Sequence, residues 1–295
     1  MATVEKKPVD ILRPGHSACP GCGSAMSMRM VLRALGSRAV VVVVPSCVSI
    51  IAGPFPNASA NVPMYHAAFE VAAASAAGIS NALKTQGIHD IPVLAFAGDG
   101  CTFDIGLQSL SGAADRNEDI IYVCVDNEGY MNTGIQVSSA TPRHTWTGTT
   151  PTGNTRRKKQ IMEIMAAHRI PYAATATVGF PDDLMEKVKR AKSIKGTRFI
   201  HLLSPCNTGW KIAEDMSPKT STMAVETNIF PLYEIIDGLH YRLTHESSGQ
   251  PVEAYLSFQG RYKHLSKKQI RAIQAETNRA WKDLKQRCGV NREPV

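Results

Sequence analysis

Two side chains able to bind a cation stand where apolar runs stop. Val93–Ala97 ends at Gly98-Asp99-Gly100, and Ile120–Val125 ends at Asp126-Asn127. Each run reads as a buried strand, and Ile105–Asp115 between them reads as a crossover helix. A βαβ unit of this kind makes the two strands parallel neighbours. It brings Asp99 and Asn127 to their carboxyl ends, where open α/β sheets bind ligands. Asp99 offers a carboxylate and Asn127 an amide carbonyl, and a backbone carbonyl such as that of Gly129 could complete a hard oxygen set. Mg²⁺ is usually held by one or two protein groups plus substrate phosphates. Gly98 and Gly100 would let the backbone come close to a diphosphate. Ordinary turns use the same residue types, so Gly-Asp-Gly alone does not decide the matter.

A second group with chemical potential is Cys19, Cys22, Cys47 and Cys206. Each lies in a loop marked by Pro or Gly, and the last two follow predicted strands, Val40–Val44 and Arg198–Leu203. Those loops gather at the sheet end that carries Asp99. Four converging thiolates suit a [4Fe–4S] cluster or structural zinc. Of the other cysteines, Cys124 lies inside a strand and reads as core. Cys101 abuts the Gly-Asp-Gly turn, and Cys288 sits on the tail without a signal.

The elements that must position these groups run along most of the chain. It has 295 residues, 43% of them hydrophobic, with net charge +8 and pI near 9.1. Helices are expected over Ser24–Leu35, His66–Gln86, Ile161–His168, Asp182–Lys192 and Leu265–Arg287, with a strand at Tyr172–Val178. The second of these is rich in alanine and suited to close packing. His66 and Glu70 would share one of its faces. Residues 48–65 read as an irregular loop over the site, and 138–155 as a long polar loop, a length that is usually functional or disordered. Arg156-Arg157-Lys158-Lys159 is expected to open a helix, where four cations oppose the dipole and attract an anionic neighbour. From about 211 the pattern weakens, and 251–258 reads as extended. The domain reading is an arm at 1–14 with no packing signal, an α/β domain at 15–250, and a C-terminal extension at 251–295. The extension's sparse apolar positions cannot build a core, so it is expected to wrap a partner. No stretch has the length and apolarity of a membrane span, and no apolar signal segment opens the chain. A cytoplasmic location is expected, where seven cysteines suit metal better than disulfides. The positive charge comes with no nucleic-acid motif; acidic partners or anionic cofactors explain it as well.

Gly98-Asp99-Gly100 with Asn127, 27 positions beyond Gly100, resembles the thiamine diphosphate motif. Tyr130-Met131-Asn132-Thr133-Gly134-Ile135-Gln136 resembles the corresponding segment of 2-oxoacid:ferredoxin oxidoreductases. The cysteine spacings and the Pro-Cys-x-Thr-Gly-Trp around Cys206 do so too. The resemblance runs from about Gly15 to Lys263 and is nearest the β subunit of multi-subunit pyruvate (2-oxoacid):ferredoxin oxidoreductases. It implies an α/β diphosphate-type domain with a mostly parallel sheet and helices on both faces. By the same resemblance Asp99, Asn127 and the Gly129 carbonyl hold Mg²⁺. Gly98, Gly100, Cys47, Asn132 and Thr133 face thiamine diphosphate, with Asn132 on its thiazolium side as a catalytic candidate. Cys19, Cys22, Cys47 and Cys206 bind the cluster. Some family members have Glu two residues after the second cysteine; here Ser24 keeps a hydrogen-bonding group without the charge.

In that family a 2-oxoacid is decarboxylated, electrons leave through the cluster to ferredoxin, and the acyl group passes to coenzyme A. Pyruvate is the default substrate, with oxalate, branched-chain or aryl 2-oxoacids open. No carboxylate in this chain suits activation of the aminopyrimidine. An α subunit with a pyrimidine domain is therefore expected to supply that Glu, beside a ferredoxin-like subunit. Two other readings stay in view: an electron-transfer subunit without thiamine, and a non-oxidative thiamine decarboxylase.

Overall fold

The computed structural model describes residues 10–289; the first nine residues of the expected arm lie outside that range. In chain order the elements are α1 (Gly23–Leu35), β1 (Val40–Val43), α2 (Cys47–Ala52), β2 (Met64–His66), α3 (Ala72–Thr85) and β3 (Val93–Gly98). Next come α4 (Leu107–Asp115), β4 (Ile120–Asp126), α5 (Ile161–Ala167), β5 (Tyr172–Thr177), α6 (Pro181–Ser193) and β6 (Thr197–Leu203). The last are α7 (Asn207–Trp210), α8 (Ser217–Glu226), β7 (Tyr233–Ile236), β8 (His240–Leu243), α9 (Val252–Leu256) and α10 (Lys267–Arg287).

All eight strands form one sheet in the order β2-β1-β3-β4-β6-β5-β7-β8. The six strands from β2 to β5 are mutually parallel, and β7 and β8 add antiparallel at one edge. Period-two alternation sends side chains to opposite faces. Val41, Val43, Phe96 and Val123 meet Met28, Leu32 and Leu35 of α1 and Leu184 and Val188 of α6. Val42, Ala95, Ala97 and Tyr122 meet Ala72, Ala73 and Ala76 of α3, Leu110 of α4 and Met165 of α5. Both faces are covered, so the central strands read as unbroken apolar runs. The α/β class expected from the sequence is the class observed.

Several local expectations fail for identifiable reasons. Residues 48–65 are not all loop: α2 occupies their start, closed by a reciprocal capping box between Ser46 and Ser49. His66 ends the edge strand β2, and the helix begins only at Ala72, so His66 and Glu70 share no helix face. Arg156–Lys159 form no helix; the chain stays irregular until Ile161, and Arg157, Lys158 and Lys159 turn toward separate acidic partners. Residues 251–258 are not extended but carry α9. The weak pattern after 211 conceals α8 and the β7–β8 hairpin. The arm is also better packed than expected: Leu12 is fully buried and bridges Ala60, and Asp10 pairs with Arg29 and Arg33. A third apolar cluster gathers Leu203, Trp210, Leu232, Val252, Tyr255 and Tyr262, and Ile270 and Ile273 of α10 rest on it. The capping box Ser266–Gln269 starts α10.

Candidate active site

β3 and β4 run side by side and stop together. At the end of β3, Gly98 leads into Asp99 and then a π-helical turn, Gly100–Ile105. Such turns are rare and frequent at functional sites. The turn directs the Asp99 carboxylate inward, where it is 1% exposed. At the end of β4, Asp126 accepts from the Glu128 N–H at 2.9 Å, which curls the chain, and Glu128 takes a left-handed φ of +66°. Few non-glycine residues tolerate that region. The curl projects Asn127 toward Asp99.

The Asn127 carbonyl end lies 3.0 Å from Asp99 Oδ1 and 2.8 Å from the Gly129 backbone oxygen. In this orientation three oxygens converge; with the amide reversed, its nitrogen would donate to the other two. A hard divalent cation fits that donor set, with its remaining positions open to phosphate oxygens. The opposite end of the amide, its nitrogen, lies 3.7 Å from Cys47 Sγ.

Asp99 has no cation of its own. Burial raises its carboxyl well above the usual range and the charge of Asp126 adds to this, while Ser138 Oγ donates to Asp99 Oδ2 at 2.6 Å and opposes it. Ser138 comes from the long polar loop, which is ordered. Thr141 of the same loop donates to the Glu128 carbonyl at 2.8 Å, and Asn154 donates to Thr141 O at 2.9 Å. The loop's function here is to hold the two strand ends.

Asp126 is the opposite case. It is fully buried, but Lys158 Nζ lies 2.5 Å away and His201 Nε2 2.7 Å away. Burial alone would raise its carboxyl; Lys158 and His201 outweigh burial and hold it at about 2. Lys158 also reaches Glu128 at 3.0 Å, and Arg261 pairs with Glu128 at 2.6 Å. Burial would lower the Lys158 ammonium, but the two carboxylates raise it overall. The Arg261 guanidinium stacks 3.8 Å from the Trp210 ring, and Trp210 Nε1 donates to the Asn127 backbone carbonyl at 2.7 Å. Asn127 is therefore clamped from both flanking residues and from its own backbone. The other cations of the run go elsewhere: Lys159 to Asp104 at 3.7 Å and Arg157 to Glu276 at 3.7 Å.

A cavity of about 260 Å³ opens beside Asp99, lined by Ser46, Cys47, Asn127, Gly129 and Asn132. Gly98, Gly100, Thr133 and Ser24 complete its wall. Gly100 is required for a reason the sequence did not show: a Cβ there would collide with the Tyr130 ring. Tyr130 is fixed by its own hydroxyl, which donates to Asp104 at 2.8 Å. Asn132 and Thr133 are exposed on the cavity wall, and Thr133 Oγ1 donates to Gln136 at 2.7 Å. Cys101 is buried under the π-helical turn, 3.7 Å from the Tyr122 hydroxyl, and does not reach the cavity wall.

The cysteine loops meet at the same rim. Cys22 N–H donates to Cys19 O at 3.1 Å, and Gly23 N–H donates to Pro205 O at 3.3 Å, which joins the first two cysteines to the turn of Cys206. Ser24 Oγ and Ser204 Oγ lie 3.1 Å apart, buried, and seal that junction. The thiols sense one another. Burial, then the charges of Cys206 and Cys22, push Cys47 up to about 12; burial also raises Cys206, with Cys22 and Cys19 contributing. All seven cysteines are free thiols.

Sequence reasoning missed Ser138, Lys158, Glu128, His201 and Arg261 as parts of this site. Only the length of the polar loop and the acidic demand of the basic run pointed toward the first two.

Comparison with known proteins identifies the family. Residues 47–202 match the family described as thiamine pyrophosphate enzyme, C-terminal TPP binding domain. The chain is 45% identical over 282 residues to pyruvate synthase subunit PorB of Methanothermobacter marburgensis, covering 94% of this chain and 98% of the relative. It is 43% identical over 284 residues to ketoisovalerate oxidoreductase subunit VorB of Pyrococcus furiosus, covering 92% and 91%. The fold is similar to that of a 2-oxoglutarate:ferredoxin oxidoreductase from Magnetococcus marinus, with TM-score 0.63 at 22% identity over 92% of this chain and 96% of that one. Strand ends carrying Asp99 and Asn127, a matching thiamine pyrophosphate domain and full-length likeness to PorB and VorB lead to one conclusion: this chain belongs to the β-subunit family of the thiamine diphosphate-binding pyruvate (2-oxoacid):ferredoxin oxidoreductases.

Proposed function

We propose that the chain is the catalytic β subunit of a 2-oxoacid:ferredoxin oxidoreductase, with pyruvate as the substrate and branched-chain 2-oxoacids as the second candidates. The observation that carries this is the convergence of the Asp99, Asn127 and Gly129 oxygens beside the cavity that Cys47 also lines. Bound there, thiamine diphosphate would supply decarboxylation of the 2-oxoacid, as cofactors carry the hard chemistry in such enzymes. This chain's residues bind and orient: Asp99, Asn127 and the Gly129 carbonyl hold Mg²⁺, and Ser138 holds Asp99. Asn132 and Thr133 present polar groups to the reacting side.

Cys19, Cys22, Cys47 and Cys206 hold a [4Fe–4S] cluster in this reading. Among the described residues no three His, Cys, Asp or Glu side chains close on a single ion. Four cysteines whose loops gather at one rim support an iron–sulfur centre in this reading. Electrons leave one at a time toward ferredoxin, and the acyl group passes to coenzyme A.

The aminopyrimidine-activating Glu comes from an α subunit with a pyrimidine domain, and a ferredoxin-like subunit completes the complex. Ile50, Phe55, Tyr65 and Ile105 are each more than half exposed, on the segments that follow β1 and β3 in the chain. Apolar groups exposed in this way support a protein partner there. In the same reading residues 15–250 form the cofactor domain and 251–295 pack on partner chains. Among the described residues no helix is long and apolar enough to cross a membrane, and the reading places the complex in the cytoplasm.

The test is anaerobic assay of the assembled complex on a panel of 2-oxoacids, with and without coenzyme A, beside the isolated chain. Coenzyme A-dependent ferredoxin reduction by the complex and no turnover by the single chain is expected. Turnover by the single chain, or a preparation without iron, overturns the reading.

A further inference from the structure

We propose that the Asn127 amide couples the cation site to the cysteine site: cation capture turns its carbonyl to the metal and its nitrogen to the Cys47 sulfur. This rests on the reading that Mg²⁺ binds at Asp99 and that Cys47 ligates an iron–sulfur cluster.

A primary amide carries an acceptor at one corner and two donors at the other. With the carbonyl toward Asp99 Oδ1 at 3.0 Å and Gly129 O at 2.8 Å, three oxygens face each other. That orientation is repulsive without a cation and correct with one. Turned over, the nitrogen donates to both oxygens, and the carbonyl then faces Cys47. The metal-free chain favours the second orientation and the loaded chain the first.

Nothing else in the residue is free to move. Asn127 is 6% exposed, and its backbone carbonyl is held by Trp210. Its neighbours Asp126 and Glu128 are locked by Lys158, His201 and Arg261. Rotation of the terminal amide is the one remaining response to charge. In the cation-bound orientation the nitrogen stands 3.7 Å from Cys47 Sγ, whose other donor is the Asn132 backbone N–H. Hydrogen bonds to cluster sulfurs are among the levers that set reduction potential. An N–H aimed at a thiolate ligand stabilises the reduced, more negative state; a carbonyl aimed at it does the reverse. The cluster thus becomes a better electron acceptor when the cofactor's metal is in place.

The experiment is a redox titration of the assembled complex followed by electron paramagnetic resonance. It is run without and with Mg²⁺ plus inorganic diphosphate, which loads the site without a thiazolium ring. Calorimetry confirms binding. The wild type should show a positive shift of midpoint potential on loading. Asn127→Asp keeps a ligand oxygen but has no donor, so its loading shift should vanish or reverse. An equal shift in both proteins would mean a through-space charge effect and overturn the link, as would no shift in a wild type that binds the ligand.

A second measurement does not depend on the variant's folding. In wild type containing ¹⁵N-asparagine, hyperfine coupling from a side-chain amide nitrogen to the reduced cluster should appear only on loading. Coupling that is absent or unchanged by loading overturns the proposal. A preparation with no cluster signal rejects instead the cluster reading beneath it.

Discussion

Asp99 and Asp126 stand at the ends of adjacent parallel strands, both buried, and they have opposite electrostatic fates. Asp126 is neutralised from within the chain by Lys158, and with His201 hydrogen-bonded to it its carboxyl is held at about 2. Asp99 has a serine hydroxyl on it and feels Lys158 only at a distance, and burial together with the charge of Asp126 raises its carboxyl. A buried carboxylate with a built-in counter-charge is structural. A buried carboxylate without one, facing two further oxygens, is made for a cation from outside. The pair shows where the fold places its counter-charge: Lys158 pairs with Asp126, and among the described residues no cation pairs with Asp99.

The largest effect should come from removing that difference at Asp99. Asp99→Asn is expected to weaken Mg²⁺-dependent cofactor binding beyond the roughly 10–100-fold typical of losing an outer-shell partner, while raising the melting temperature of the metal-free protein. Calorimetric titration and thermal melts check both arms, and a lower metal-free melting temperature would contradict the comparison. Lys158→Met is the mirror experiment. It leaves Asp126 and Glu128 buried short of a partner and should destabilise by roughly 3–5 kcal/mol, read by denaturant unfolding. Ser138→Ala leaves the carboxylate but frees its second oxygen; Mg²⁺ affinity should fall about 10–100-fold with little change in fold.

The pH dependence sharpens the contrast, because the two carboxyls act with opposite sign. Asp126 has a lowered value, so its contribution to stability is present above about 4, near its unfolded value, and is lost as pH falls toward about 2. Asp99 has a raised value, so in the metal-free protein its contribution is present below about 4 and is lost as pH rises through the raised value. The gain in melting temperature on adding Mg²⁺ should therefore grow as pH rises above about 4, the ordinary carboxylate value. A gain independent of pH would count against Asp99 as the ligand. The smallest effect is expected from salt: ferredoxin reduction should slow as ionic strength rises, because the net charge of +8 favours an acidic partner.

How much of this was legible in the sequence follows from what kind of signal each part leaves. The buried strands Val93–Gly98 and Ile120–Asp126 announce themselves as apolar runs, and the turns that end them as Gly, Asp and Asn. The helices α1 and α6 show the same regularity. Arg156–Lys159 misled because four adjacent cations look like one feature, whereas the fold sends Lys158, Lys159 and Arg157 to three different places. Residues 48–65 and 251–258 misled because α2 and α9 are short, and short helices take their stability from caps and contacts. The π-helical turn at Gly100 leaves no periodic trace at all.

The sequence by itself determined the alternation of strands and helices, hence the parallel sheet, and which residue types could meet a cation and a cluster. Local chemistry suffices for that, since strand period, apolar run length and ligand type are properties of neighbours in the chain. Only the tertiary structure decided which aspartate is left without a counter-charge, which loop holds it, and that the Asn127 amide faces Asp99 and Gly129 at one end and Cys47 at the other. Those outcomes depend on partners 30 to 133 positions away, Lys158, Ser138 and Arg261 among them. Burial makes each pairing decisive, because a charge removed from water takes its properties from whatever lies within a few ångströms.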